Sequence, residues 1–269
     1  MRLEVTTGLD SEQLTELVVG VRVRLGGEYV SRGRPFALGL FRSVAMVLAL
    51  LRQNIMQQLA AEMFGVSQST VSRRFTALGE VIEAVLADFV PTPAQIAGNS
   101  TVLVEGTLVP TWDWRDRSDL FRGKHHDTGF TLQIGAALGG NLVAVGAPVP
   151  GARHDAHAWQ VSGLAQQLAG LDHLADLGYV GVGQMLTGHK KPPGGELTDN
   201  QKQVNTDLST IRAAVERAIA HLKNWKILSG RYRGPLDKLP SVIQDRGRPG
   251  ILQALLLNLA NKVPSFVVI

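Results

Sequence analysis

Through residues 1–95 the apolar positions recur three and four apart, the repeat of helices that bury one face. Asp10-Ser-Glu-Gln-Leu-Thr-Glu-Leu predicts a first helix capped at Asp10. Phe36 to Arg52 is almost wholly apolar and predicts a buried helix, and Leu59–Phe64 and Ser67–Val85 continue the helical pattern. From Pro91 to Ser100 the chain is rich in turn formers and has no period, which marks a boundary. Beyond it the period shortens. Thr101–Gly106 reads as a strand, and Thr131–Leu138 with Asn141–Pro148 reads as a hairpin around Gly139-Gly140. A helix over 156–169, a strand over Leu171–Ala175 and a long helix over 205–228 complete the pattern, with Lys190-Lys-Pro-Pro-Gly-Gly as a loop. The expected architecture is therefore a helical domain at 1–95 followed by an α/β domain at 100–269.

Composition narrows the class without changing this picture. Apolar residues at 45% and charged residues at 19% are ordinary for a globular chain and exclude a mostly disordered one. There is no cysteine, so disulfides, thiolate zinc sites and a cysteine nucleophile are excluded. The N-terminus carries acids and no apolar core, and Phe36–Leu51 is interrupted by Arg42 and too short to span a bilayer. A cytoplasmic protein with no membrane partner is expected. The formal net charge is +4. It is unevenly spread: between Arg212 and Lys238 there are seven basic residues and two acids, a stretch suited to phosphates or to a solvated helix face.

The segment Gln57–Phe75 has the spacing of a helix-turn-helix, Ala61-x3-Gly65-x5-Val71. Two short helices that cross closely need a small residue at the crossing, which Ala61 supplies, and a sharp turn, which Gly65 allows. Ser67 can cap the second helix. That helix would then present Gln68, Ser69, Ser72 and Arg73, side chains that bond base edges or phosphates, to a DNA groove. An ordinary corner between two helices is the competing reading. Arg22, Arg24, Arg32 and Arg34 are candidates for a phosphate-binding arm.

Four acids recur at places where a sheet could gather them. Glu105 is expected to end the first strand, Asp155 to follow the third, Asp176 to follow the fourth, and Glu216 to lie on the long helix beside Ala213, Ala214, Ala218 and Ile219. Clustered carboxylates repel one another unless cations sit among them, and hard oxygen donors favour magnesium or manganese. Two such ions could activate a water or a 3′-hydroxyl at a phosphodiester. Arg212 and Lys223, four residues before and seven after Glu216, share its helix face and would bring phosphate-binding charge to it.

These blocks together resemble the DDE-superfamily transposases of bacterial insertion sequences, in the branch related to Harbinger-type transposases. The resemblance runs from about Arg32 to the C-terminus. It is carried by the helix-turn-helix, by Val104-Glu-Gly-Thr-Leu-Val-Pro-Thr with Gly123-Lys-His-His, by Pro150-Gly-Ala-Arg-His-Asp with Leu174-Ala-Asp-Leu-Gly-Tyr, and by Arg212-x3-Glu216-x6-Lys223. It implies an α-helical helix-turn-helix domain joined to an α/β RNase H-like catalytic domain with a mixed sheet. It implies a catalytic triad of Glu105, Asp176 and Glu216 holding two Mg2+ or Mn2+ ions, with Asp155 as an extra acid near the metals. It further implies Lys124, Arg212 and Lys223 on DNA phosphates, double-stranded DNA as partner, and a homodimer or higher multimer acting in the nucleoid. In two places the chain departs from the family: the first acid is Glu105 where the family has aspartate, and Ser209 stands where a tyrosine is usual. A methylene of extra reach matters at a metal site, so an impaired or domesticated relative that only binds DNA is the alternative.

The remaining candidates are weaker. His125-His126 and the His154/His157 pair around Asp155 suggest zinc, yet no third ligand is fixed by the sequence, and a role in orienting acids or touching DNA fits them better. Trp112 and Trp114, near Arg115 and Arg117, could stack on exposed bases or pack in the core. A carbohydrate-active domain with two carboxylates as acid and base is a third reading, with little beyond the aromatic patch to support it.

Overall fold

A computed structural model describes residues 3–27, 29–31, 34–88, 90–98, 101–112, 116–123, 126–183, 185–234, 236–245 and 248–260. The chain forms two compact units, Met1–Val90 with Lys223–Ile269, and Pro91–Leu222. The residues after the long helix, Lys223–Ile269, group with the helical unit.

In the helical unit, α1 (Ser11–Arg24) opens with the expected cap: Asp10 accepts from the Gln13 amide, and Gln13 returns a bond to the Asp10 amide. The apolar run becomes α2 (Leu40–Gln53), buried at Leu40 and continuously from Ser43 to Leu51. It starts four residues later than the pattern suggested. Then come α3 (Gln57–Phe64) and α4 (Gln68–Ala87). Between them Gly65 takes φ +70° and ψ +40°, and Ser67 caps α4 by accepting from the Thr70 amide. Ala60, Ala61, Phe64 and Val71 close this corner over Leu38, Met46 and Leu50. The C-terminal helix Ile251–Ala260 packs along α4, where Asn258 donates to the Leu86 carbonyl at 3.1 Å.

Among the described residues the second unit is built on a mixed seven-stranded sheet: β1 (Val102–Pro110), β2 (Phe121–Arg122), β3 (Asp127–Ala137), β4 (Leu142–Val145), β5 (Val149–Pro150), β6 (His173–Ala175) and β7 (Met185–Leu186). Antiparallel β3 lies along one edge of β1, with Glu105 opposite Ile134 and Gly106 opposite Gln133. Parallel β6 takes the other edge, and β7 follows it. β2, β4 and β5 pair with β3 at successive stretches. This is the RNase H-like arrangement the resemblance implied. The hairpin forms around Gly139-Gly140 as expected. The single helix expected over 156–169 is two pieces, α5 (Asp155–Val161) and Leu164–Gln167, because Gly163 enters the left-handed region at φ +75°. The long helix α6 spans Asp199–Lys223, beginning and ending earlier than the pattern suggested.

Side chains alternate along β1, so its two faces receive different partners. Val102, Val104 and Gly106 face α5, as the shared packing of Val102 and Val104 with Trp159, Leu164 and Tyr179 shows. Glu105 points the other way, where Arg212 of α6 meets it.

A prediction follows for the corner. A Cβ at Gly65 would meet nothing within 4 Å. Gly65→Ala should therefore cost only the left-handed strain, about 1–2 kcal/mol, read as a shift in the urea midpoint without change in slope.

Candidate functional site

The acids come from separate elements. Glu105 lies in the middle of β1, not at its end as expected, because β1 continues to Pro110 along β3. Its carboxylate is 14% exposed and is engaged by the Arg212 guanidinium, itself 25% exposed. Burial pushes the Glu105 carboxyl above the ordinary carboxylate range, Arg212 pulls it back, and the charges of Asp176 and Glu216 push it up further. Those two acids thus bear on Glu105 from the turn after β6 and from α6.

Asp176 caps the short 3-10 turn Leu177–Tyr179 and accepts from the Gly178 amide at 2.8 Å. Alternation carries it to the Glu105 side of the sheet, since Ala175 pairs with Val104. Glu216 is exposed, which corrects the expectation that it sits on the apolar face of the helix. The buried stripe of α6 runs through Ala214, Val215, Ala218, Ile219 and Leu222, and Glu216 falls just outside it. Lys223 ends α6 and is half-buried.

Asp155 corrects a second expectation. It is the first residue of α5, and its Oδ1 lies 2.5 Å from where a Cβ on Gly106 would stand, so it occupies the face of β1 opposite Glu105. Both its oxygens accept from Arg122 Nη2, at 3.0 and 2.9 Å, while Arg122 Nη1 donates to Thr131 at 2.7 Å. Among the described residues no three His, Asp and Glu side chains converge into a group able to hold a metal ion as the side chains stand. The expected four do not form one group, because Asp155 lies on the face of β1 opposite Glu105. The donor chemistry of Glu105, Asp176 and Glu216, all carboxylate oxygens around one shared repulsion, does fit a divalent cation.

Sequence reasoning missed the buried polar layer beneath β1. The Tyr179 hydroxyl donates to Gln133 Oε1 at 2.6 Å, and both residues are fully buried. Burial and the charges of Asp155, Glu105 and Asp176 push the Tyr179 phenol far up, so it remains a donor. The available signal was Gln133 itself, a polar residue in the otherwise apolar run Leu132–Leu138.

In the helical unit, Gln68, Ser69 and Arg73 are exposed on α4, while Ser72 is half-buried rather than exposed. Gln68 donates to Gln57 at 2.6 Å, and Arg73 Nε donates to the Ser69 carbonyl at 3.2 Å, so the face is ordered. Arg74, not singled out by the motif, lies 3.8 Å over the Phe36 ring. Arg22 is exposed, and Arg24 faces Asp88 at 3.6 Å. Lys124, His125, Trp114, Arg115 and Arg32, and the side chain of Arg34, lie outside the described residues. Trp112 is half-exposed, Arg117 is paired with Asp119 at 2.8 Å, and His126, His154 and His157 are exposed. No helix among the described residues is long and apolar enough to cross a membrane.

Two predictions follow. A Cβ at Gly106 would collide with Asp155 and with Gln133 Nε2, at 2.5 and 2.9 Å. Gly106→Ala should cost about 1–3 kcal/mol by overpacking, seen as a lowered thermal midpoint. A carboxyl whose ionisation is raised by folding favours the folded state while protonated, and that contribution is lost as pH rises from the ordinary carboxylate value through the raised one. Carboxyl-carbon NMR should accordingly find Glu105 titrating above the usual range, higher still in Arg212→Ala and lower in Asp176→Asn or Glu216→Gln.

Comparison with known proteins supplies the lineage. Residues 104–244 match the DDE superfamily endonucleases, and residues 36–88 match the helix-turn-helix of DDE superfamily endonucleases. The chain is 32% identical over 223 residues to the protein assigned as transposase of insertion sequence element IS112 in Streptomyces albus G, covering 82% of this chain and 83% of that protein. It is 36% identical over 84 residues, 30% of each chain, to the one assigned as transposase of IS702 in Microchaete diplosiphon. No solved structure matches. A helix-turn-helix ahead of an RNase H-like sheet, matched over both parts, places this chain in the DDE endonuclease superfamily, among the transposases of insertion sequences.

Proposed function

We propose that the chain recognises the ends of an insertion sequence and catalyses divalent-ion-dependent cleavage and strand transfer, with the freed 3′-hydroxyl attacking target DNA. The observation that carries this is the match of both parts of the chain, helix-turn-helix and RNase H-like sheet, to the DDE endonucleases and to an insertion-sequence transposase over 82% of its length. Glu105, Asp176 and Glu216 would hold the ions. Magnesium or manganese would supply Lewis-acid stabilisation of the attacking and leaving oxygens. Arg212 engages Glu105 through Nη2, while its Nε is buried with no acceptor among the described residues. That spare donor suits a phosphate oxygen. Lys223, and Lys124 by resemblance, would add phosphate contacts. Gln68, Ser69, Ser72 and Arg73 would read the element ends, with Arg74 fixed by its aromatic stack rather than reaching DNA. Pairing two ends calls for a dimer or higher multimer in the nucleoid.

A second reading is favoured by one observation. Glu105 reaches a methylene further than the aspartate of the family and is already engaged by Arg212. On that reading the chain binds element ends but cuts them poorly.

A nicking and strand-transfer assay on DNA carrying the element's own terminal repeats, with Mg2+ or Mn2+, separates the two. Cleavage should require the divalent ion and fall about a hundredfold or more in Asp176→Asn and Glu216→Gln, the loss of several kcal/mol of charge stabilisation. Glu105→Asp should raise the rate if reach is the fault. A wild-type rate as high as that of Glu105→Asp removes the impaired reading, and cleavage untouched by Asp176→Asn removes the assignment of the acids.

A further inference from the structure

The turn that carries Asp176 is anchored through the sheet rather than on its own side. Asp176 leaves β6 toward Glu105, and three residues later Tyr179 has crossed to the opposite face, where it is fully buried. There its hydroxyl donates to Gln133 Oε1 at 2.6 Å. Gln133 stands opposite Gly106 in the β1–β3 register, directly behind the residue that follows Glu105. The Tyr179 amide donates to the Asp176 carbonyl at 3.2 Å, and the Val182 amide to the Tyr179 carbonyl at 3.0 Å, so the turn is tied to the anchor on both sides. One buried hydrogen bond thereby joins the segment bearing Asp176 to the ladder bearing Glu105.

The layer around that bond is closed. The Gln133 Nε2 atom and Asp155 Oδ1 both crowd the space above Gly106, and Arg122 clamps Asp155 from the other side. Asp155 is the nearest charge to Tyr179 in effect, ahead of Glu105 and Asp176. Only a glycine at 106 leaves room for these side chains, and only a neutral amide at 133 accepts the phenol there without adding another buried charge.

We propose that Tyr179 and Gln133 are positioning residues for the divalent-ion site, holding the Asp176 carboxylate in register with Glu105 from the far face of the sheet. This rests on the assignment of Asp176 as an ion-holding carboxylate. Tyr179 and Gln133 touch neither carboxylate but hold the backbone that carries one, and loss of such outer support lowers ion affinity while leaving the ligand itself in place. Asp155 belongs to the same layer, acting on Arg122 and on the packing above Gly106 rather than on an ion.

The test is Mn2+ binding to the full chain without DNA, followed by electron paramagnetic resonance, so that no turnover is needed. Tyr179→Phe and Gln133→Leu should each weaken Mn2+ binding roughly tenfold. The double variant should be no weaker than either alone, since both changes remove one bond. Circular dichroism and binding to element-end DNA should stay at the wild-type level in all three. Should Tyr179→Phe not fold, Gln133→Leu, close in size and apolar, carries the test alone. If these variants bind Mn2+ as the wild type does while Asp176→Asn loses it, the anchoring proposal is wrong and the assignment of the acids stands. If Asp176→Asn itself binds Mn2+ normally, or the wild type binds none, the assignment of the acids fails and the anchoring proposal with it.

Discussion

Alternation of side chains along one central strand governs the α/β unit. β1 is paired on both edges, by β3 antiparallel and by β6 parallel, so its register cannot slip without breaking two ladders. That fixes Glu105 toward α6 and Gly106 toward α5. The acids are sorted by this one constraint: Glu105 and Asp176 to one side, Asp155 to the other. Arginines complete the sorting, Arg212 against Glu105 and Arg122 against Asp155.

The two ion pairs differ in consequence. Arg122 holds Asp155 with both carboxylate oxygens and also reaches Thr131, so its guanidinium is well satisfied and only 9% exposed. Breaking such a pair from one side would strand a buried charge. Arg212 is more open, leaves a buried Nε without an acceptor among the described residues, and opposes a carboxyl already raised by burial. The first pair is a structural fixture of the sheet. The second is the more exposed on its arginine side.

The helical unit shows the same economy on a smaller scale. The sharp turn at Gly65 and the Ser67 cap set the direction of α4, and the contacts among Ala61, Phe64 and Val71 hold it there. The exposed face of α4 then carries Gln68, Ser69 and Arg73 as a row of donors, while the adjacent Arg74 is spent on Phe36. Two neighbouring arginines have thus taken different tasks, decided by which side of the helix each one leaves.

Much of this was legible in the residues. Local physics wrote the caps at Asp10 and Ser67, the glycine turn at Gly65, the hairpin at Gly139-Gly140 and the break before residue 101, because each depends on neighbours a few positions away. The family resemblance, carried by motif spacing, supplied the sheet type. What the sequence left open was decided by long-range pairing. Strand length moved Glu105 from an end to the middle of β1. The position of the buried stripe left Glu216 exposed. The start of α5 against the Gly106 face of β1 put Asp155 opposite Glu105. Gln133 and Tyr179, far apart in sequence, became partners only when β3 and the turn after β6 met across the sheet. A one-residue change of face reverses what a carboxylate can touch, and that face is set by hydrogen-bonded partners dozens of residues away.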